Sequence, residues 1–337
     1  MSDTWKIFQK DQEPHSGIEN LPAPPPWRSF YANKKQDNSA QKQSPEEIKG
    51  KTFKVWDKQV ELVNAALYLR RPLLVTGRPG TGKSSLAYAV AYQLQLGKVL
   101  KWSINTRTTL NDGLYRYDPI GRLQDSQLKN KTDKTDNTNE IDIGNYVQLG
   151  ALGTSFLPNE KPRFLLIDEV DKSDIDLPND LLNIFEEGEF EIPELARIAE
   201  QKTTITVTTY DNQKAKINQG RIACQEFPLV IMTSNGERDF PPAFLRRCLQ
   251  LEMPQPDQQQ IKEIVQSHLH LEPDILAELE NLIENFVQRR ERGENLATDQ
   301  LLNVIFMLTG NKNPSPTDEK ILLEYLLQPL DRIRGEY

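Results

Sequence analysis

A glycine-rich loop between an apolar run and a helical pattern constrains this chain more than any other feature. The apolar run is Pro72–Thr76, and a helical pattern with one apolar face covers Ser84–Leu96. The loop between them fits the pattern G-x-x-x-x-G-K-[ST] with the residues Gly77, Arg78, Pro79, Gly80, Thr81, Gly82, Lys83 and Ser84. A strand, this loop and a helix, in that order, predict a phosphate-binding site at the opening of a parallel α/β sheet.

Each residue type in this loop suits contact with a polyphosphate. The glycines allow backbone N–H groups to approach phosphate oxygens that a Cβ would block, and the following helix directs its positive end at the same anion. We predict that Lys83 reaches the β- and γ-phosphates and that the Ser84 hydroxyl binds Mg²⁺. We expect Ser85 to contact the nucleotide as well. We therefore expect ATP and Mg²⁺ as cofactors.

Two carboxylates, Asp168 and Glu169, follow a second buried run, Phe164–Ile167. A carboxylate at the carboxyl end of a buried strand can hold Mg²⁺, and a second can polarise an attacking water. We assign Asp168 to the metal and cofactor and Glu169 to the water. An acid pair that only caps the next helix is the alternative, but the phosphate loop upstream favours the catalytic interpretation.

The order of the elements predicts an α/β fold. We expect a P-loop three-layer sandwich around a central parallel sheet, followed by a C-terminal all-α lid domain. Alternating β-branched residues over Thr203–Thr209 predict a β-hairpin. Beyond Pro254 only helical patterns follow. The predicted domains are an N-terminal arm at 1–50, an ATPase core at 51–253 with a polar insertion at 124–142, and a helical lid at 254–337.

The N-terminal arm is rich in Pro, Gln, Asn and Ser, and we expect it to be mostly irregular. Within it, Leu21–Trp27 favours polyproline II. This segment is either a stiff strap on the protein's own surface or a docking site for a partner.

Composition narrows the class of protein. The net charge of −8 over 337 residues lowers the expectation of nucleic-acid binding, which usually requires a basic face. The two cysteines, Cys224 and Cys248, lack metal-ligand spacing, and so few thiols favour a reducing compartment. No apolar run is typical of a signal peptide or a membrane span. We expect a cytoplasmic protein with no membrane association.

Further motifs resemble the MoxR group of AAA+ ATPases. They are Leu166–Ser173, Asp180–Leu182, Glu186–Phe190 and Gly150–Gly153, the last similar to that group's helix-two insertion. The hairpin expected before Phe227 matches an insertion ahead of sensor one. The resemblance implies a nucleotide-driven remodeller, usually a hexameric ring of identical chains. It also implies a protein partner, often one with a von Willebrand factor A domain.

The resemblance implies two more site assignments. Asn235 follows Val230–Ser234 and stands where sensor one belongs, so its amide would orient the attacking water; a turn-forming Asn is the alternative. Arg246 and Arg247 lie in a segment similar to the arginine-finger segment. One of them would act on the nucleotide of a neighbouring subunit. Two solvated surface arginines are the alternative there.

One feature that the resemblance implies is missing. No Arg or Lys stands at the start of the lid helix near Ala297–Gln300, where a second sensor belongs. Arg289, Arg290 and Arg292 come earlier and could substitute, but the spacing does not choose between them.

Two other motifs are weaker. Asn130–Asp133 matches the N-K-x-D signature of GTPases, but it lies in the polar insertion ahead of Asp168, so we interpret it as chance. A basic-aromatic patch either grips a polypeptide or nucleic-acid strand or packs on its own domain. The patch comprises Arg107, Tyr115, Arg116, Tyr117 and Arg122.

Taken together, these features predict an ATP-hydrolysing AAA+ motor or switch that remodels or activates a protein partner. A DNA-directed motor subunit and an ATP-gated scaffold with little hydrolysis are the two alternatives.

Overall fold

A computed structural model describes residues 5–7, 16–28, 45–132, 142–310 and 314–330. The chain forms two compact units. The sheet unit is drawn from residues 55–77 and 86–253, and the lid unit from 1–54, 78–85 and 254–337.

The described residues form both strands and helices, numbered in chain order. The strands are β1 Leu73–Thr76, β2 Leu100–Ser103, β3 Tyr115–Tyr117, β4 Val147–Leu149, β5 Phe164–Asp168, β6 Glu189–Glu191, β7 Thr204–Thr208, β8 Lys214–Asn218, β9 Arg221–Ala223, β10 Leu229–Ser234 and β11 Leu249–Glu252. The helices are α1 Pro45–Thr52, α2 Asp57–Leu69, α3 Lys83–Gln93, α4 Leu110–Leu114, α5 Pro119–Thr132, α6 Ala151–Ser155, α7 Leu177–Glu187, α8 Pro193–Ala196, α9 Pro242–Arg247, α10 Gln258–Leu269, α11 Pro273–Glu278, α12 Glu280–Glu291, α13 Thr298–Leu308 and α14 Pro316–Leu326. Short 3-10 turns lie at Gly17–Asn20, Pro26–Arg28, Ile143–Tyr146 and Val170–Lys172.

The core of the sheet unit is a five-stranded parallel sheet in the order β11-β1-β10-β5-β2. Every residue of β5 and β10 is buried, as expected for inner strands of a parallel sheet covered on both faces. Helix α2 packs on β1 and β11, and α6 packs on β2 and β5. The predicted α/β fold with a central parallel sheet and a C-terminal helical region is therefore confirmed.

A second sheet of six strands, in the order β3-β4-β7-β8-β9-β6, lies in the same unit. Its centre is the predicted hairpin, in which Thr204–Thr208 pairs antiparallel with Lys214–Asn218. The rest of this sheet was not predicted from the sequence. Four of its strands have only three residues each, which is too short for an alternating pattern to be recognised.

The lid unit has a core of its own between α10, α12 and α13, with Ile261, Phe286 and Ile305 fully buried. The proline-rich N-terminal segment packs on this core through Trp27. The Trp27 indole Nε1 donates to Asn303 Oδ1 at 3.0 Å, and its ring lies 5.9 Å from that of Phe306. These contacts agree with the strap interpretation of the segment.

Two predicted segments are partly helical. Helix α1 covers the last residues of the arm that we expected to be irregular, and α5 covers the first part of the polar insertion. Asn130, Lys131 and Thr132 of the N-K-x-D match belong to α5, whereas Asp133 lies outside the described residues. Within the described residues, no helix has the length and apolar character that a membrane crossing requires.

Candidate functional site

Asp168 is the last residue of β5, and two neighbouring strands position its carboxylate. Thr233 Oγ1 of β10 donates to Asp168 Oδ1 at 2.7 Å, and Lys101 Nζ of β2 lies 2.7 Å from Asp168 Oδ2. The side chain is largely buried. An ionised carboxylate at this depth needs such partners, so both oxygens are oriented at the carboxyl edge of the sheet.

Glu169 leaves the strand in the left-handed conformation, with φ of 64°. A non-glycine residue in that region is uncommon, and such residues are concentrated at functional sites. Its N–H donates to Thr233 Oγ1 at 2.9 Å, and its carboxylate pairs with Lys172 Nζ at 2.9 Å. The hydrogen bond from Lys172 to Glu169 is the main cause that raises the Lys172 pKa. The half-buried Glu169 carboxylate is therefore held beside Lys172, just beyond the end of β5.

Thr233 joins the two acids through one hydroxyl. A hydroxyl has one donor and two acceptor positions, and here it donates to Asp168 and accepts from the Glu169 N–H. Sequence reasoning missed both Thr233 and Lys101. One signal could have indicated Thr233: it stands two residues before Asn235, in the strand β10 that pairs with β5.

Asn235 follows β10 directly and is held by a third acid. Asp171 Oδ2 accepts the N–H of Asn235 at 2.9 Å and the N–H of Glu237 at 3.0 Å. Asp171 is buried, and its Oδ1 has no hydrogen-bond partner among the described residues. Among the described residues, the Asn235 side chain makes a single long hydrogen bond, from Nδ2 to Glu237 Oε1 at 3.5 Å. The structure therefore brings the predicted sensor residue to the loop that carries the acids, while its side-chain amide stays weakly engaged.

The two predicted finger arginines end α9 and differ in their contacts. The Arg247 guanidinium pairs with Glu186 of α7. Arg246 is exposed, and within the described ranges its side chain forms no ion pair. Both backbone carbonyls accept from the Arg71 guanidinium, which fixes the end of the helix. Arg71 was missed by sequence reasoning.

The phosphate loop itself is tightly closed. Thr81 Oγ1 and Lys83 Nζ both donate to the Arg78 carbonyl, each at 2.9 Å. Gly80 has φ of 77° and Gly82 has φ of 85°. A Cβ on Gly80 would lie 2.6 Å from Ala297 Cβ, so a side chain there would collide with its surroundings.

Gly82 is packed as closely as Gly80. A Cβ on Gly82 would lie 2.7 Å from the ring of Phe53. The loop continues into α3, whose first turn carries Ser84 and Ser85, both half-buried. The donor set of this loop fits a polyphosphate. It consists of backbone N–H groups that no side chain blocks, a lysine and the first turn of a helix.

The basic-aromatic patch divides into two parts. The Tyr115 hydroxyl donates to Glu194 at 2.9 Å, and Arg122 Nη1 donates to the Tyr117 hydroxyl at 3.1 Å. Burial and then Glu194 raise the Tyr115 pKa to about 12. These three patch residues therefore pack on their own unit.

Arg107 and Arg116 are the exposed part of the patch. They line an open cavity of about 750 Å³, together with Lys101, Asn105 and Tyr210. Arg116 lies 3.9 Å from Asp112, a distance at which an exposed ion pair contributes little.

A comparison with known families agrees with this geometry. A family model described as AAA domain (dynein-related subfamily) matches residues 72–248. The match begins with β1 and extends past α9, so it includes the phosphate loop, both acids and the two arginines. No curated protein sequence matches the chain. Since the matched region is more than half of the 337 residues, the chain belongs to the dynein-related subfamily of AAA domains and is an ATP-binding protein of the AAA+ class.

Proposed function

We propose that this protein hydrolyses ATP and uses the cycle to remodel or activate a protein partner. The observation that carries the proposal is the Thr233 hydroxyl, which orients Asp168 and the backbone of Glu169 together. A protein that only binds nucleotide needs Asp168 for Mg²⁺ but has no need for a second positioned acid such as Glu169. Hydrolysis needs one, because a water must be activated.

Each residue has an assigned step. Lys83 and the loop N–H groups bind the phosphates, and the Ser84 hydroxyl and Asp168 carboxylate would hold Mg²⁺, which prefers such oxygen ligands. When bound, Mg²⁺ neutralises charge on the phosphoryl oxygens. Glu169 accepts a proton from the attacking water, and the Asn235 amide orients that water.

An arginine from a second copy of the chain completes the proposed site. Arg246 is the better candidate, because Arg247 is already paired with Glu186. A guanidinium supplied in trans stabilises charge that develops on the transferred phosphoryl. We also propose that the chain is a member of the MoxR group, because of the motifs at 166–173 and 186–190. This membership implies a hexameric ring and a partner with a von Willebrand factor A domain.

The experiment is ATP turnover per chain as a function of protein concentration, without partners. A rise in specific activity with concentration supports a site completed between subunits. Glu169→Gln should lower turnover by about 100-fold or more while nucleotide affinity is retained. Lys83→Ala should abolish binding, and Lys214→Ala, which removes an exposed lysine of β8, should change neither.

Two results would contradict the proposal in different ways. If the parent chain binds no ATP, the nucleotide site itself is wrong. If it binds ATP but Glu169→Gln behaves like the parent, the ATP-gated scaffold replaces the motor.

A DNA-directed motor is the second candidate, and the exposed Arg107 and Arg116 beside the open cavity favour it. Binding to duplex DNA that weakens steeply with salt would support this candidate. Absence of binding at low salt would remove it.

A further inference from the structure

Arg290 of α12 is a buried cation in the lid unit. Its side chain is 6% exposed. Its Nε donates to the Leu296 carbonyl at 2.8 Å, and its Nη2 donates to Thr298 Oγ1 at 2.9 Å. Its guanidinium also lies 4.4 Å from the centroid of the Phe286 ring. The guanidinium therefore joins α12 to the segment that leads into α13.

Arg290 has no close carboxylate partner in the part of the chain that the structure describes. Within the described residues no acid lies at ion-pair distance from it, and its buried Nη1 has no hydrogen-bond partner. Burial and then the positive charge of Arg78 lower its pKa to about 10, whereas Asp299 acts in the opposite direction. The group stays cationic at neutral pH, but a buried unpaired donor is costly. An anion bound nearby would therefore stabilise this buried guanidinium.

The segment held by Arg290 touches the phosphate loop. A Cβ built on Gly80 would lie 2.6 Å from Ala297 Cβ and 3.0 Å from the Thr298 nitrogen. Arg290 binds the residues on either side of Ala297. The path from the guanidinium to the loop backbone therefore passes through one short segment, Leu296–Thr298.

We propose that Arg290 is a positioning residue that couples nucleotide binding in the phosphate loop to helices α12 and α13. It holds Leu296–Thr298 against Gly80, and the polyphosphate in the loop relieves the repulsion between Arg290 and Arg78. This inference rests on the proposed nucleotide site.

The two neighbouring arginines do not have this geometry. Arg289 Nη2 pairs with Glu294 at 2.6 Å and donates to the Leu327 carbonyl at 2.8 Å. Arg292 is exposed. Arg289 is therefore a matched control, since it lies on the same helix but binds Glu294 and Leu327 instead of Leu296–Thr298.

The test is the affinity of the full chain for a fluorescent ADP analogue, combined with hydrogen exchange of Leu296–Thr298. Arg290→Met should weaken binding about tenfold and abolish the protection that nucleotide confers on this segment. Arg290→Lys should restore only part of the affinity, because an ammonium cannot reproduce the two-armed contact with Leu296 and Thr298. Arg289→Met should lower the melting temperature but leave the affinity unchanged.

The outcomes separate this inference from the proposed function. If the parent chain binds no nucleotide, the proposed function fails. If the parent binds and folded Arg290→Met binds equally well, the inference is overturned. If Arg290→Met does not fold, Thr298→Val decides, because it removes only the Oγ1 acceptor. Parental affinity and parental exchange in Thr298→Val would overturn the inference, and a loss of both would support it.

Discussion

Thr233 Oγ1 donates to Asp168 Oδ1 at 2.7 Å, and the same oxygen accepts the N–H of the next residue, Glu169, at 2.9 Å. The two strands that carry these residues pair in parallel, with Met232 opposite Ile167. One hydroxyl on β10 therefore sets the direction in which β5 ends and the turn at which Glu169 leaves it.

Thr233→Val keeps the shape of the side chain and removes this hydroxyl. We expect turnover to fall by about 10- to 100-fold with little change in nucleotide affinity, because both acids lose their orientation. Stability should fall by about 1–3 kcal/mol, since buried polar atoms lose their partner. Steady-state kinetics and urea denaturation measure the two effects. Thr209→Val is the matched control: it also removes a buried hydroxyl, one that donates to Asp211 at 2.6 Å, and turnover per folded chain should be unchanged.

Gly80→Ala tests the close packing of the phosphate loop. The new Cβ would lie 2.6 Å from Ala297 and would require φ of 77° from an alanine. We expect loss of nucleotide binding in an equilibrium titration, together with a lower melting temperature. Gly97→Ala separates the two causes, because Gly97 has φ of 76° but nothing within 4 Å of the added Cβ. Gly97→Ala should lower the free energy of unfolding by only about 1–2 kcal/mol and should retain nucleotide binding. Equal loss of binding in Gly80→Ala and Gly97→Ala would contradict the packing argument.

Arg246 and Arg247 are distinguished by complementation between subunits. Arg246→Ala should lower turnover by about 10³-fold or more if this guanidinium acts in trans. Mixing it with Lys83→Ala should restore activity, because each chain supplies what the other lacks. Arg247→Ala loses the pair with Glu186 and should keep most of its turnover. No recovery in the mixture would argue for a finger in cis.

Cys248 should make the protein sensitive to alkali. Burial raises the pKa of this thiol from 9.0 to about 12, although Arg71 acts in the opposite direction. As pH rises, the Cys248 thiol therefore loses its proton in the unfolded chain before it does so in the folded chain. The contribution of the buried, protonated thiol to stability is complete below pH 9 and is lost as pH rises towards 12. Between pH 9 and 10.5 we expect about 1–2 kcal/mol of loss in the free energy of unfolding.

Urea denaturation at several pH values measures this loss. Cys248→Ala should flatten the alkaline decline, whereas Cys224→Ala should keep most of it, because Cys224 is only half-buried. A decline that is the same in Cys248→Ala and the parent would contradict the assignment.

Much of the fold was predictable because its signals are local. Apolar runs mark β1, β5 and β10, which are strands of four to six residues. The hairpin of β7 and β8 follows from alternation and a polar turn. The second sheet was missed because pairs such as β4 with β7 join distant short segments. The predicted site residues stay predictions that the proposed variants test, and the predicted domain boundaries stay predictions.

Residue type and spacing were enough to define the parts of the site that lie within one short stretch of chain. These parts are the loop Gly77–Ser84 and the pair Asp168-Glu169, since adjacent residues must meet whatever the rest of the chain does. The contacts that support them depend on the tertiary structure. Thr233 lies 65 residues from Asp168, and Arg247 lies 61 residues from Glu186. Strand order and register bring such residues together, and hydrophobic periodicity predicts which segments are strands but not which strands become neighbours.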